Sequence, residues 1–464
     1  MRHHNTLIAF APIVFALAAC GGSSPSGEWT HVFPTAPNDP SGVGVAKSSL
    51  ARDPAAALSP AALSNAVAAN NAFALDLYAK LRTTPSNALT SPLSASLALT
   101  MAYAGASGNT ARQMASALHY GSDAASIFDG QNALSQALAL RAAAAFAADQ
   151  ATATNSGEPA PSAGDYNLQV VNSVWGEHTY TWESPFLDIL AKSYGTGVYQ
   201  EDFIHQSEPA RQTINAWVST STADKINDLL PVGALDDSTR MVLVNAIHVK
   251  LPWATPFAAS STAPASFSKS DGTTVSSPFM NQTSNWNYLD DGNAQIVSLP
   301  LAGNQLSVVI ALPHGDLASY EAGLAPGSAA IAIPSASALV SLSLPKVSFT
   351  SPTFSLATAL KALGMTDAFD KGAANFTGLC AHTPDARRLY IGDVLQKAMV
   401  AMQETGVEAA AATAVIMLGT AMGDGNAPQP VPMVVNRPYL LSIIDIPTGA
   451  VLFLGHIEDP SAAP

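Results

Sequence analysis

Basic residues are scarce in this sequence. The chain of 464 residues carries 20 lysines and arginines against 34 aspartates and glutamates, which gives a formal net charge of −14. Arg387 and Arg388 form the only adjacent basic pair, apart from histidines, and the alanine-rich stretch 132–164 has one basic residue, Arg141. Nucleic acids and other polyanions are bound through clustered positive charge, so the sequence offers no evident site for either.

Familiar catalytic signatures are also missing. The sequence contains no G-x-S-x-G nucleophile elbow, no phosphate-binding P-loop, no G-x-G-x-x-G and no H-E-x-x-H. The histidines in or beside apolar segments, His178, His248 and His456, are interpreted as structural. No metal-ligand spacing is present. We therefore expect that the chain is not an enzyme and requires neither a metal nor a cofactor.

Only two cysteines are present, Cys20 and Cys380. The apolar stretch 7–19 is too short to span a bilayer and has the proportions of a signal peptide. It ends in LAAC followed by two glycines, which resembles the lipoprotein box of bacteria, where the cysteine is acylated and becomes the mature N-terminus. The resemblance implies a signal peptide over 1–19 and a lipid anchor on Cys20. An ordinary secretory signal with an incidental cysteine is the alternative.

If Cys20 is acylated, no disulfide can form within the chain, and Cys380 is expected to be a small core residue. Residues 20–64 are rich in Ser, Gly, Pro and Ala without a sustained apolar period, which predicts a flexible tether. A folded domain is expected over 65–460, with 461–464 as a short tail.

Helices and long strands are mixed along that domain. Apolar periodicity predicts helices near 65–81, 94–104, 184–194, 209–222 and 354–364. Runs dense in Val, Ile, Leu and aromatic residues predict strands near 168–176, 241–249, 306–313, 340–349 and 439–446. The order of these segments predicts an α+β fold.

Five phrases occur in order along the chain: NALTSPLSASLALTMAYAGASGNTARQM (87–114), INAWVSTSTADKINDLL (214–230), MVLVNAIHVKLPW (241–253), ALGMTDAFDKGAANFTG (362–378) and VNRPYLLSIIDIPTGAVLFLGHIEDP (435–460). Together they resemble the serpins, a family of metastable serine protease inhibitors. The resemblance implies the serpin fold, about nine helices around three β-sheets, with an exposed reactive centre loop over about 404–434.

The segment ETGVEAAAATAVIMLGTAMGDGNAPQP, residues 404–430, resembles the hinge and reactive centre loop of that family. The implied hinge residues, which enter a sheet as a new central strand after cleavage, are Glu404, Gly406, Val407, Glu408, Ala409, Ala410, Ala411 and Ala412. No proline occurs from residue 405 to residue 427, as a central strand requires. Gly406 is expected to supply backbone freedom. Alternation would bury Val407 and leave Glu408 on a face that can stay wet.

Small side chains at 409–412 match the inhibitory members of the family, so the resemblance implies suicide inhibition of a serine protease. The family's usual spacing from Glu404 places the scissile bond at Thr420–Ala421, with Leu418 and Met422 as alternatives because the C-terminal part of the loop is longer than usual. No Lys or Arg lies between residues 397 and 437, which favours an elastase-, subtilisin- or chymotrypsin-like target over a trypsin-like one.

Five further positions match serpin residues that govern opening of the sheet. Ser91, Ser94 and Asn245 match polar residues of this kind, and Trp253 matches a tryptophan near the insertion point. Gln396 stands where the family usually has histidine. The Gln396 amide can make similar hydrogen bonds, but the presence of glutamine instead of histidine leaves open whether sheet opening responds to pH.

The expected partners are a serine protease, held as a covalent acyl complex, and a membrane, reached through Cys20. We expect a monomer in the bacterial cell envelope. Gly21 follows the cysteine in place of an acidic retention residue, which favours the outer membrane, facing the periplasm or the cell surface. The alternative is a surface lipoprotein that keeps the serpin fold without inhibition and has a binding or envelope role.

Overall fold

The computed structural model describes residues 44–82, 86–380, 389–408 and 429–462. Within these ranges it contains nine α-helices: α1 Pro60–Leu81, α2 Pro92–Tyr103, α3 Gly108–Ala117, α4 Ala124–Ala139, α5 Arg141–Ser156, α6 Ser184–Ile189, α7 Phe203–Ser221, α8 Leu317–Ala322 and α9 Ala357–Ala362. A π-helical turn, Leu190–Tyr194, continues α6.

The first nine strands in chain order are β1 Val45–Ala46, β2 Ala88–Thr90, β3 Asn167–Glu177, β4 Val198–Glu201, β5 Met241–Pro252, β6 Ala263–Ser268, β7 Thr274–Asp290, β8 Ala294–Pro300 and β9 Leu306–Pro313. They are followed by β10 Ser337–Pro345, β11 Val347–Thr350, β12 Phe354–Ser355, β13 Leu395–Gln396, β14 Met399–Gln403, β15 Gly406–Val407, β16 Val431–Val434, β17 Tyr439–Asp445 and β18 Val451–Ile457. The α+β class predicted from the sequence is confirmed.

The strands of the described residues join into two sheets. The first, here called the central sheet, has the order β1-β4-β3-β5-β15-β14-β11, with β13 paired to β5 and β12 paired to β13. The second has the order β16-β10-β7-β8-β9-β17-β18-β2, with β6 beside β7. The resemblance to serpins implied three sheets. The difference arises because β7 is one continuous strand of 17 residues that pairs with β6 and β10 and, at its end, with β8.

Helix α2 lies inside the fold. Its residues from Pro92 to Ala102 are all buried, and it contacts β3, β5 and β18, so it packs against both sheets. A helix that is apolar on all sides is expected in such a place. Ser91 caps it: the Ser94 N–H donates to Ser91 Oγ at 3.3 Å, and Pro92 occupies the first turn. Cys380 is buried in the main core, as expected from the sequence.

Residues from 44 onwards contact the folded domain, so the tether predicted over 20–64 is too long at its C-terminal end. Val45 and Ala46 form β1, which pairs antiparallel with β4 at the edge of the central sheet. Helix α1 begins at Pro60, five residues before the predicted domain boundary. Composition predicted a linker because this segment has few large apolar residues. Hydrogen bonds to side chains elsewhere in the chain bind the segment to the folded domain.

Arg52 makes several contacts of this segment with the domain. Its guanidinium donates to Asn132 Oδ1 at 2.8 Å and to Ser135 Oγ at 2.6 Å, both on α4. Burial lowers the pKa of Arg52 to about 10. The backbone N–H of Asp53 donates to Lys192 O at 2.9 Å. The segment around Arg52 is thus bonded to α4 and to the π-helical turn before β4. None of the helices in the described ranges is long and apolar enough to cross a membrane.

Candidate functional site

Two residues of the predicted hinge form a short strand within the central sheet. Gly406 and Val407 (β15) lie between β5 and β14, where Val407 pairs with Leu251 on one side and with Met402 on the other. The Val407 side chain is 1% exposed and belongs to the main hydrophobic core. Two residues of the hinge therefore already form a strand between β5 and β14.

Gly406 permits the close approach of β15 to β5. A Cβ atom at this position would lie 2.3 Å from the backbone oxygen of Leu251 and 2.6 Å from Cα of Pro252. Backbone atoms cannot move aside as the end of a side chain can, so only glycine fits without displacing the strand. The sequence suggested backbone freedom as the role of Gly406; the structure gives close packing of two strands instead.

Strand β5 contacts the segment that leads into β14 directly and is separated from β14 itself. Near that point β13 pairs with β5 in parallel, with Leu395 opposite Val244. Further along, β15 separates β5 from β14. Beyond β15 the N–H of Glu408 donates to Ala401 O at 2.6 Å, which continues the ladder with β14 by one more bond. The boundary between β5 on one side and β13 and β14 on the other is here called the seam. It is closed at one end, where β13 pairs with β5, and holds the hinge at the other.

Glu408, just beyond β15, is, with Glu404, one of the two charged residues of the described hinge. One carboxylate oxygen lies 2.6 Å from Lys225 Nζ, and the other contacts Nε2 of His248. Its side chain is only 10% exposed in this native structure, whereas the prediction of a wet face concerns the inserted strand and stays a prediction. Lys225, which follows α7, and His248, on β5, cover and pair the carboxylate. The backbone φ of Glu408, +50°, is unusual for a residue other than glycine and marks a bend at Glu408.

The electrostatics of Glu408 follow from these contacts. Burial alone would raise the pKa of Glu408, but hydrogen bonds and positive charge from His248 and Lys225 lower it below its usual value. The carboxylate therefore stays ionised over the physiological pH range and binds the hinge to two separate elements. Sequence reasoning treated His248 as a structural histidine and did not single out Lys225, because neither lies near residue 408 in the chain.

The residues just before β15 also form hydrogen bonds and ion pairs with other elements. Glu404 accepts from Lys346 Nζ at 2.8 Å and from Thr262 Oγ1 at 2.9 Å. Burial would raise the pKa of Glu404, but the bonds from Lys346 and Thr262 lower it. Trp253 is 3% exposed; its Nε1 donates to Gln403 O at 2.7 Å and its backbone N–H to Thr405 O at 3.0 Å. The tryptophan expected near the insertion point thus lies against the hinge.

The four other predicted sheet-opening residues lie together at the closed end of the seam, and all are buried. Gln396 Nε2 donates to Ser91 O at 2.8 Å and to Asn245 Oδ1 at 3.3 Å. Its Oε1 accepts from the Ser91 N–H at 3.0 Å and from Thr90 Oγ1 at 2.6 Å. Ser94 Oγ donates to Asn245 Oδ1 at 3.2 Å. The amide of Gln396 therefore links the start of α2 to both strands that must separate.

Several predicted site residues lie outside the described residues. These are the lipidation residue Cys20, the hinge residues Ala409, Ala410, Ala411 and Ala412, and the scissile-bond candidates Leu418, Thr420, Ala421 and Met422. The structure therefore gives no geometry for the bond that a protease would cut.

One group in the described ranges brings together side chains that metals commonly use: Glu177, His178 and Asp202. Their contacts give them another role. Glu177 Oε2 accepts from the N–H groups of Phe203 and Ile204, at 2.9 and 3.3 Å, at the start of α7. Asp202 caps the same helix through the N–H of His205 at 2.9 Å. Carboxylates at a helix N-terminus stabilise it without a metal.

Comparison with known proteins agrees with this arrangement. The family model described as serpin (serine protease inhibitor) matches residues 68–460. Plasminogen activator inhibitor 2 of Homo sapiens is 32% identical, over 84% of this chain and 99% of that protein. The leukocyte elastase inhibitor of Equus caballus is 32% identical, over 84% and 98%. An uncharacterised serpin-like protein of Methanosarcina acetivorans is 31% identical, over 84% and 85%.

Solved structures show the same similarity. The native state of tengpin, a thermophilic serpin, superimposes with a TM-score of 0.71 at 26% identity and covers 89% of this chain and 96% of its own. Serpin48 of Tenebrio molitor gives a TM-score of 0.67 at 26% identity, over 86% and 98%. The family is one of serine protease inhibitors and not of catalysts. The chain belongs to the serpin family of serine protease inhibitors.

Proposed function

We propose that this chain inhibits serine proteases as a suicide substrate, by cleavage of its reactive centre loop and insertion of the loop into the central sheet. The observation that carries the proposal is the position of β15 between β5 and β14. Val407 already pairs with strands on both sides. A chain that used this fold only as a scaffold would not need a seam that holds the start of an additional strand.

The reaction is an interrupted proteolysis. The serine hydroxyl of the protease attacks the carbonyl carbon of Thr420, the bond to Ala421 breaks, and Ala421 leaves with a free amino group. Thr420 is then an ester of the protease. Insertion of the preceding residues between β5 and β14 carries the esterified protease across the inhibitor. Distortion of its active site by about 1 Å can slow deacylation roughly 100-fold.

The register of β15 defines the inserted strand. Val407 faces Leu251, so continued antiparallel pairing would bring Ala409 opposite Val249 and Ala411 opposite Ile247. Val249, Ile247 and Leu251 are all buried in the main core. Alanine side chains can enter such a face without overpacking it, whereas long or charged ones cannot.

The test is incubation of the purified chain with pancreatic-type elastase, followed by a denaturing gel. Suicide inhibition predicts a band at the summed mass of the two proteins that survives denaturation. Elastase with its catalytic serine replaced by alanine is the control and should give no such band. Cleavage without a covalent band would support the alternative, a non-inhibitory serpin with a binding role. Resistance to cleavage would contradict the proposed target class.

We propose an elastase-, subtilisin- or chymotrypsin-like target. No Lys or Arg lies between residues 397 and 437, so a trypsin-like pocket finds no basic side chain in the loop. Relatives of this chain in Equus caballus, Homo sapiens and Sus scrofa bear the name leukocyte elastase inhibitor. Mass spectrometry of the released C-terminal peptide identifies the bond: a peptide that begins at Ala421 supports Thr420–Ala421, and one that begins at Gly419 or Gly423 supports Leu418 or Met422.

We further propose that the chain is a monomer anchored to the bacterial outer membrane through an acylated Cys20, after removal of residues 1–19. The support is the lipoprotein-like box LAAC and the absence of an acidic residue after it. The natural chain should fractionate with outer membranes, and Cys20→Ala should release it. A Cys20→Ala protein that stays with membranes would contradict the anchor while leaving the inhibitory function untouched.

A further inference from the structure

The inner face of strand β5, which lies toward α2, carries one polar side chain, that of Asn245. Asn245 is fully buried, and Ser94 Oγ on α2 donates to its Oδ1 at 3.2 Å. The side chains that alternate with it along β5 all belong to the main hydrophobic core: Met241, Leu243, Ile247, Val249 and Leu251. Since an unpaired buried polar atom is costly, each end of the Asn245 amide is expected to have a partner.

The amino end of the Asn245 amide has no partner in the described part of the chain. Gln396 Nε2 donates to Ser91 O at 2.8 Å, and its Oε1 accepts from the Ser91 N–H at 3.0 Å, so Gln396 presents its amino group to Asn245. The Asn245 atom that accepts from it at 3.3 Å must be Oδ1. Nδ2 is then left unpaired. Asn172, directly opposite on β3, does not supply a partner, since both ends of its own amide are unpaired too.

The register of β15 indicates which loop residue insertion would bring to Asn245. Val407 pairs with Leu251 on β5. Thr413 comes six residues after Val407, and Asn245 comes six residues before Leu251. Thr413 itself lies outside the described residues. Continued antiparallel pairing would place it directly opposite Asn245, with its side chain on the same face as that of Val407.

The polar positions of the two strands coincide in this register. Every second residue from 407 to 417 would share the inner face, and all but Thr413 are apolar: Val407, Ala409, Ala411, Val415 and Met417. Asn245 is likewise the one polar residue on the facing side of β5. A shift of the register by two residues would place both polar side chains opposite apolar ones. The match of the two polar positions therefore supports the register.

Insertion also removes a partner that Asn245 has in the native state. A strand between β5 and β13 would move their backbones from one strand spacing apart to two, from about 4.8 Å to about 9.6 Å. The bond from Gln396 to Asn245 would then be lost, and Ser94 alone would remain bonded to Asn245. A threonine hydroxyl is both an acceptor and a donor, so Thr413 can serve the amide in place of Gln396.

We propose that Thr413 is a positioning residue for loop insertion, because its hydroxyl accepts from Asn245 Nδ2 in the inserted strand. The inference rests on the proposed insertion of the loop and adds the residue that fixes the register of the new strand. Other registers would bury both polar groups unpaired. Until the sheet opens, β13 and Gln396 occupy the place beside Asn245, so the contact exists only after insertion.

The natural chain is compared with Thr413→Val, which removes the hydroxyl at nearly constant shape, and with Thr413→Ser, which keeps it. Each is cut in the loop with thermolysin, a zinc protease. Its metal-bound water attacks the peptide bond, so no acyl-enzyme forms and the whole sample is recovered as cleaved inhibitor. Mass spectrometry confirms that the cut lies between residues 418 and 428. Unfolding in guanidinium is then measured for the intact and the cleaved forms.

Cleaved Thr413→Val should unfold with an equilibrium constant at least about tenfold larger than that of the cleaved natural chain, and cleaved Thr413→Ser should stay within about threefold of it. The intact forms should unfold alike, because the contact is absent before insertion. Cleaved Thr413→Val as stable as the cleaved natural chain, or an equal loss in Thr413→Ser, would overturn the proposal and leave insertion standing. No gain in stability of the natural chain on cleavage would contradict insertion itself, and with it the proposed function.

Discussion

Replacing Val407 with arginine tests whether burial of the hinge drives inhibition. Val407 is 1% exposed between Leu251 and Met402, so Val407→Arg loses the burial of the valine, roughly 1.5 kcal/mol. A guanidinium placed there without a partner costs several kcal/mol more. We expect the hinge of the variant to leave the sheet before cleavage, which avoids this cost in the native state. Insertion must then bury the guanidinium, and a loss of about 3 kcal/mol in that step would slow it roughly 100-fold, while hydrolysis of the acyl-enzyme is unchanged. Most inhibitor molecules would then be cleaved as substrate.

The measurement is the stoichiometry of elastase inhibition, together with the ratio of complex to cleaved inhibitor on a denaturing gel. The natural chain should need about one molecule per protease, and Val407→Arg more than about ten. Val434→Arg is the matched control, because the same change at a position on β16 that is 46% exposed should leave the stoichiometry as it is. Full complex formation by Val407→Arg would refute the idea that this side chain must be buried.

Four further predictions concern the loop, the hinge and the buried His456. Cleavage of the loop should raise the melting temperature substantially, and an unchanged melt would contradict insertion. Ala411→Arg should convert the inhibitor into a substrate; covalent complex at full stoichiometry would refute the proposed register. Gly406→Ala should lower the unfolding midpoint in urea, since its Cβ meets the Leu251 carbonyl at 2.3 Å, and an unchanged midpoint would refute this packing. Burial lowers the pKa of His456, but the bond to Glu321 at 3.0 Å raises it above its usual value overall. Stability from this pair is therefore complete below about pH 6.5 and lost as pH rises through the raised pKa; His456→Gln should flatten that dependence of the urea midpoint.

The sequence could predict elements whose information is local. Strands such as β9 and β17 are continuous apolar runs, and both lie where the runs were recognised. Likewise Ser91 and Pro92 signal the start of α2 and begin it in the structure. Such features depend on the composition and period of a few neighbouring residues, so no knowledge of the remaining chain is needed.

Features that depend on distant residues could not be read from the sequence. Side-chain alternation along a strand places Val407 and Glu408 on opposite faces, but it does not indicate which residues cover the face of Glu408. Lys225 pairs with Glu408 and lies far away in the chain. The segment around Arg52 has the composition of a linker, yet α4 supplies the amide and hydroxyl that hold it. The lipoprotein-like box at Cys20 and the loop beyond residue 408 remain predictions from the sequence.

The position of the hinge also indicates where the barrier to insertion lies. Val407 is already paired on both sides, so the first step of opening the sheet has been taken in the native state. Met402 lies six positions after Gln396, which is roughly 20 Å of extended chain at about 3.3 Å per residue. There Gln396 still bonds Asn245 and the start of α2, and Leu395 pairs with Val244. The bonds of Gln396 must therefore break before insertion can pass that point, and an amide, unlike a histidine, releases them without a change of protonation.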